Sequence, residues 1–191
     1  MRWALLLLVA LAAGCDGGIP RPPGELAPDD PVQENVNDGP HWQIGGYDLR
    51  GLASIAVDAR VLSAEHYGRD RESELAPVDL ALGWGPMSSN EVIDALSIGQ
   101  GSRFYHWSWS GHPPIPPAEI SKHSANMHMI PADDDVRSTL LAARRGNLVH
   151  LRGWLIEVKS PDGWRWRSSL SRGDTGGGAC EVVLVESLSL E

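Results

Sequence analysis

Cysteine is scarce in this chain: two among 191 residues, Cys15 and Cys180. Two thiols cannot build the multi-bridge framework of a small secreted scaffold, so an apolar core must hold the fold together. Phenylalanine is nearly absent too, one residue against eight tryptophans, which makes tryptophan a principal core aromatic. No block of Lys and Arg occurs, and 25 acidic side chains outnumber 16 basic ones for a net charge of −9. A polyanion binder needs a basic face that releases counterions, so nucleic acid is not an expected partner. No internal repeat is visible. No apolar run reaches the ~20 residues that a membrane-spanning helix needs, and the run from Trp3 to Ala13 falls well short of it.

That run follows a single basic residue, Arg2, and leads into Leu11-Ala12-Ala13-Gly14-Cys15. A cationic start, an apolar stretch and small residues before a cut make a secretory signal, which is removed and takes no part in the fold. With a cysteine just behind the cut, the segment resembles the lipobox of bacterial lipoproteins. The resemblance implies that residues 1–14 are cleaved and that Cys15 carries a diacylglyceryl group on its thiol and a fatty acyl chain, palmitate or its like, on its new amine. The protein would then be held by lipid on the cell membrane or outer membrane, facing the periplasm or the exterior. One acyl chain anchors marginally and two anchor stably. Cleavage removes Arg2 alone and moves the net charge by one, to −10. Acidic balance on an exported chain serves solubility.

Residues 16–40 are rich in Pro, Gly, Asp and Asn and show no apolar periodicity. Such a composition cannot offset the entropy of ordering, so residues 15–40 read as a lipidated cysteine with a disordered tether, whose ~25 residues could reach about 80 Å. Residues 41–191 have the size of one domain.

Within that domain the dominant pattern is alternation. Ala53, Ile55, Val57, Ala59 and Val61 share one parity, as do Val78, Leu80, Leu82 and Trp84, and each set predicts a half-buried strand. Arg103 to Trp109 is aromatic-rich, and Leu148 to Val158 is apolar on both parities around Gly153, where a bend or a close backbone approach is expected. Ser160-Pro161-Asp162-Gly163 has turn chemistry, Pro fixing φ and Gly accepting a positive one, and joins that strand to Trp164–Leu170. Cys180 to Leu190 supplies a last strand. Two helices are expected: one opened by Ser88-Ser89-Asn90-Glu91 as a capping box, one opened by Asp133, Asp134 and Asp135 and closed by Arg144, Arg145 and Gly146 in accord with the helix dipole. The acidic run is thus capping rather than calcium binding, since no further EF-hand oxygens follow. About six strands and two short helices predict a mainly β fold, an antiparallel barrel or sandwich, with an OB-like barrel favoured by a helix between the third and fourth strands.

Gly83-Trp84-Gly85-Pro86-Met87, His123-Ser124-Ala125-Asn126, Asp174-Thr175-Gly176 and Ala179-Cys180-Glu181 resemble a family of exported bacterial β-rich proteins that carries no assigned activity. The resemblance transfers no functional residue. Asp174-Thr175-Gly176 also matches the aspartic-protease triplet, but the polar Ser171-Arg172-Gly173 before it and three glycines after it suit a hairpin better than the buried strand that chemistry needs.

Metal chemistry would need three or four converging donors; His123 and His128, with His106 and His112 upstream, lie five apart and so share neither a helix face nor a strand face. Cys180 falls on the apolar parity of its strand, where a free cysteine is most often a small buried hydrophobe. Trp164-Arg165-Trp166-Arg167 places two indoles on one face and two guanidiniums on the other, a surface suited to cation–π or ligand contact. The loop from Ser171 to Ala179 offers Arg172 as a two-pronged anion partner beside Asp174, with glycines that permit close approach. Arg172, Asp174, Trp164, Trp166, His123 and His128 are therefore the candidate ligand-binding residues. No nucleophile, base and orienter can be assembled from spacing, and neither cofactor nor metal is expected. The expectation is a lipid-anchored domain that binds a protein or small molecule without turning it over. The alternative is a metal-dependent or thiol hydrolase using His123, His128 and Cys180.

Overall fold

Twenty consecutive residues form the longest strand, and the rest of the sheet is arranged around it. The structure, a computed structural model, describes residues 19–171 and 180–191. Its strands are β1 (Val32–Asn35), β2 (His41–Ile44), β3 (Tyr47–His66), β4 (Val78–Gly83), β5 (Leu96–Gly101), β6 (Phe104–Trp109), β7 (Ser124–Pro131), β8 (Leu148–Lys159), β9 (Arg165–Arg167) and β10 (Glu181–Leu190). Its helices are α1 (Asn90–Ile93), α2 (Pro117–Lys122) and α3 (Asp134–Ala142), with single 3₁₀ turns at Glu72–Glu74 and Gly85–Ser88.

β3 pairs with β4, β4 with β7, β7 with β10, β10 with β8, and β8 back with β3, so five strands close a ring. All of these pairings are antiparallel except β7 with β10, which is parallel. Numbered by chain order, the ring reads 1-2-3-5-4 with α3 between its third and fourth strands, the Greek-key connectivity of an OB-like barrel. The sheet is thus mixed rather than purely antiparallel. Bulges in β3 between Gly51 and Ala53 and between Val61 and Ser63 let one long strand curl through the barrel and leave it again. Beyond the barrel, β2, the start of β3, the end of β8 and β9 form a four-stranded wing.

The barrel interior is filled by one parity of each strand: Ala53, Ile55, Val57, Ala59 and Val61 of β3, Val78, Leu80 and Leu82 of β4, Met127 and Met129 of β7, and Val183 and Val185 of β10. α3 closes it with Val136 and Leu140, and the Asp133 carboxylate caps that helix by accepting from the Val136 N–H at 2.8 Å. Gly153 meets the close approach expected of it, since a Cβ there would lie 2.0 Å from the Leu184 carbonyl oxygen. Two further apolar clusters lie outside the barrel, one beneath the wing and one beneath the β5–β6 hairpin.

Three expectations need correction. The third barrel strand is β7, not Arg103–Trp109, which instead forms one arm of the separate two-stranded β5–β6 sheet. A third helix, α2, precedes β7, and α1 is capped by Ser89 rather than Ser88. The Ser88 hydroxyl is buried instead, accepting from the Leu26 and Ala27 N–H groups at 3.0 and 3.1 Å and donating to the Gly85 carbonyl at 2.7 Å.

The segment expected to be a disordered tether is structured from Ile19 onward. The Ile19 N–H donates to the Arg145 carbonyl, Ala27 and Pro31 are buried, and Val32–Asn35 pairs with β3 at Ala53–Ala56. A segment without an apolar face is ordered here by backbone hydrogen bonds to the barrel, a source of order that composition does not reveal. Residues 1–18, including Cys15, lie outside the described residues.

Candidate functional site

On β4 and β7 the residues opposite in parity to the core point outward, and register sets Asp79 against His128 and Ala81 against Asn126. In a bare barrel these side chains would face water. Here Asp79 is fully buried, and His128 and Asn126 are nearly so, because the β5–β6 hairpin and the 67–77 loop fold over them.

The cover is latched by Arg103. Gly101 pairs with Phe104, so Ser102 and Arg103 are the two central residues of a tight turn, with φ of 51° and 69°. Both are left-handed, the conformation that two-residue hairpins usually assign to Asn-Gly or Asp-Gly. Their strain is offset by the bonds that Arg103 makes. Its guanidinium donates to Asp79 Oδ1 at 2.7 Å, to Asp70 Oδ1 and Oδ2 at 2.7 and 2.8 Å, and to the Ala76 carbonyl at 3.1 Å. It lies 3.8 Å from the centre of the Tyr67 ring. The Arg103 N–H donates to the Tyr67 hydroxyl, and its carbonyl accepts from Asn126 Nδ2, each at 3.1 Å. Gln100 Nε2 in turn donates to Asn126 Oδ1 at 2.7 Å.

The electrostatics follow from these distances. Burial alone would lower the Arg103 pKa, but Asp70 and Asp79 outweigh it and hold that pKa above the ordinary value. The same guanidinium pulls Asp70 down to about 2. Burial raises Tyr67, and it pushes Tyr105, beneath the hairpin, up to about 12.

Asp79 Oδ2 lies 2.9 Å from His128 Nδ1, but the two atoms are not aligned for a hydrogen bond. The His128 ring then packs on Trp166 with centroids 4.9 Å apart, Trp166 on Trp164 at 6.0 Å, and the Arg71 guanidinium sits 4.7 Å from the Trp164 ring. A file of charged and aromatic groups therefore runs from Asp70 to Arg71 with its members facing one another.

The structure brings together three of the six candidate ligand residues: His128, Trp164 and Trp166. His123 is elsewhere, at the C-terminal end of α2, with Nδ1 2.9 Å from the Glu119 carbonyl and its ring against Gly85. Five residues along an extended strand separate it from His128 by about 16 Å. Cys180 lies beside the Arg103 carbonyl at 3.8 Å and Asn126 Nδ2 at 4.0 Å. The hydrolase alternative needs His123, His128 and Cys180 in one place, and His123 is out of reach. His106 and His112 are exposed. Among the described residues no three His, Cys, Asp or Glu side chains are grouped to hold a metal. Arg172 and Asp174 lie outside the described residues.

Asp79, Asp70, Tyr67 and Arg103 carry no sequence signal as a group. Asp79 sits on the polar parity of an alternating strand, where a solvent-facing residue is the ordinary reading, and its partners come from two loops.

Away from this cluster, the wing offers a cleft of about 410 Å³ lined by His41, Trp42, Arg50, Glu157 and Lys159 among others. Glu157 is buried at its centre, with Lys159, Arg50 and Arg167 at 3.3, 3.4 and 3.5 Å. Burial pushes the Glu157 pKa up, and the three cations more than reverse that. Comparison with protein-family models, curated proteins and solved structures finds no match for this chain.

Proposed function

We propose that the protein is a lipid-anchored extracytoplasmic lipoprotein whose barrel binds a partner or small ligand without catalysis. The observation that carries the non-catalytic half is the closure of the outer face of β4 and β7. Its one buried carboxylate, Asp79, is bonded to Arg103 through Oδ1 and faces His128 through Oδ2, so its ionisable groups face one another rather than open solvent. Barrels of this connectivity commonly bind ligands on that face, though likeness of fold alone assigns no function. With the face occupied by the chain's own hairpin, the wing cleft becomes the favoured contact surface, offering the Trp42 indole beside a cation-rich rim. The anchoring half rests on Leu11-Ala12-Ala13-Gly14-Cys15. Among the described residues no helix is long and apolar enough to cross a membrane.

Metabolic labelling with a palmitate analogue tests the anchor. The wild-type protein is expected to be labelled and to fractionate with membranes, and Cys15→Ser to be unlabelled and released. An unlabelled wild-type protein would overturn the reading.

A further inference from the structure

On its N-terminal side the described chain begins at one defined place. The Ile19 N–H is bonded to the Arg145 carbonyl at 3.2 Å, and Arg21 Nε donates to the Gly146 carbonyl at 2.7 Å while its Nη2 donates to the Glu191 carbonyl. Asn90 Nδ2 donates to the Arg21 carbonyl at 2.7 Å. Ile19 sits so close to Gly146 that a Cβ on that glycine would lie 2.7 Å from the Ile19 backbone. Only residues 16–18 separate Ile19 from Cys15. At no more than ~3.6 Å per residue, four steps reach about 14 Å. An acylated Cys15 at headgroup depth would therefore bring this end of the barrel to the bilayer surface.

The same end gathers four arginines in an otherwise acidic protein. Arg21 and Arg145 line a shallow hollow of about 360 Å³ with Asn90 and Asp94, exposed Arg144 adjoins it, and Arg60 is buried at its floor, donating to the Ser88 carbonyl at 3.3 Å and to Asn90 Oδ1 at 2.5 Å. Burial lowers the Arg60 pKa first, and neighbouring Arg145 and Arg21 lower it further against the opposing pull of Asp94, so these cations sense one another. Glu191 is at this end too, with its carboxylate 3.3 Å from His150. The acidic run Asp133, Asp134 and Asp135 sits at the other end of α3, away from Arg144 and Arg145. Each Lys or Arg near an anionic leaflet adds about 1 kcal/mol of attraction.

We propose that the surface formed by Arg21, Arg144 and Arg145 docks on anionic phospholipid headgroups and holds the barrel against the membrane in a fixed pose. The proposal rests on the lipoprotein reading. The wing, at the far end of β8, would then project outward, since the twelve residues of that strand span ~36 Å from the docked end.

The test uses full-length acylated protein in vesicles of phosphatidylcholine with or without phosphatidylglycerol. In a Cys180→Ser background, a spin label at Ala142→Cys marks the docked end and one at Pro161→Cys the wing. With phosphatidylglycerol present, a water-soluble nickel quencher should reach the label at 142 several-fold less than the label at 161. Neutralising Arg144 and Arg145 to Gln should weaken that protection by roughly fivefold per arginine, and high salt should do the same. Charge reversal to Glu, in protein whose fold is checked by circular dichroism, should abolish it. Equal access at both positions in protein shown to be acylated would overturn the docking and leave the anchor standing. Protein that is never acylated would overturn the anchor, and the docking with it.

Discussion

Asp79 and Asp70 share one arginine but not one environment, and the difference decides what each is worth. Asp79 is fully buried, whereas the Asp70 side chain is 35% exposed. Removing one member of a buried pair strands its partner and costs several kcal/mol, while exposed pairs are worth under about 1 kcal/mol. Asp79→Asn should therefore lower stability by ~3 kcal/mol in urea unfolding, and Asp70→Asn by less than ~1 kcal/mol. An equal loss at both positions would count against the burial argument. Asp70 has its own signature in acid. Its folded pKa, about 2, lies below its ordinary 3.8, so its stabilisation is complete above the ordinary value and is lost as pH falls from about 4 toward 2. The thermal midpoint of the wild-type protein should fall more steeply across that window than that of Asp70→Asn.

Among the elements, the N-terminal segment shows most clearly what pattern alone cannot convey. The alternation in β3 and β4, the turn after β8, and Asp133 as the cap of α3 were all legible because each is local chemistry. β7 was not: Ser124–Pro131 is buried on both faces and contains a single β-branched residue, Ile130, so neither period nor propensity marks it as a strand. Residues 19–40 were illegible for the opposite reason, since their order comes from bonds to the Arg145 carbonyl, the Ser88 hydroxyl and the edge of β3. Of the candidate site, His128, Trp164 and Trp166 could be read from residue type, but the Arg103 latch could not, because Ser-Arg carries no turn signal. The packed segment implies a measurable cost. Deleting residues 19–36 removes a four-residue ladder and the burial of Ala27 and Pro31, so stability should drop by about 2–4 kcal/mol and the thermal midpoint by roughly 5–15 °C. An unchanged midpoint would mean that the segment only rests on the barrel.

For the molecule as a whole, the ring closes through partners far apart in sequence. β3 pairs with β8 about a hundred residues on, and β10 must enter between β7 and β8. Such long loops are closed at an entropic cost before contacts repay it. Refolding followed by circular dichroism should accordingly take milliseconds to seconds, and a microsecond phase carrying the full amplitude would contradict this topology. Closure also has an optical consequence. Trp84 is the one buried tryptophan of the seven described, and its indole N–H is shielded in the barrel without an acceptor, while Trp42, Trp107, Trp109, Trp154, Trp164 and Trp166 are each partly exposed. Its emission should be the bluest of the seven and the least accessible to iodide or acrylamide. Opening the barrel by any route would turn that hidden emitter red, giving the fold an intrinsic gauge of its own integrity.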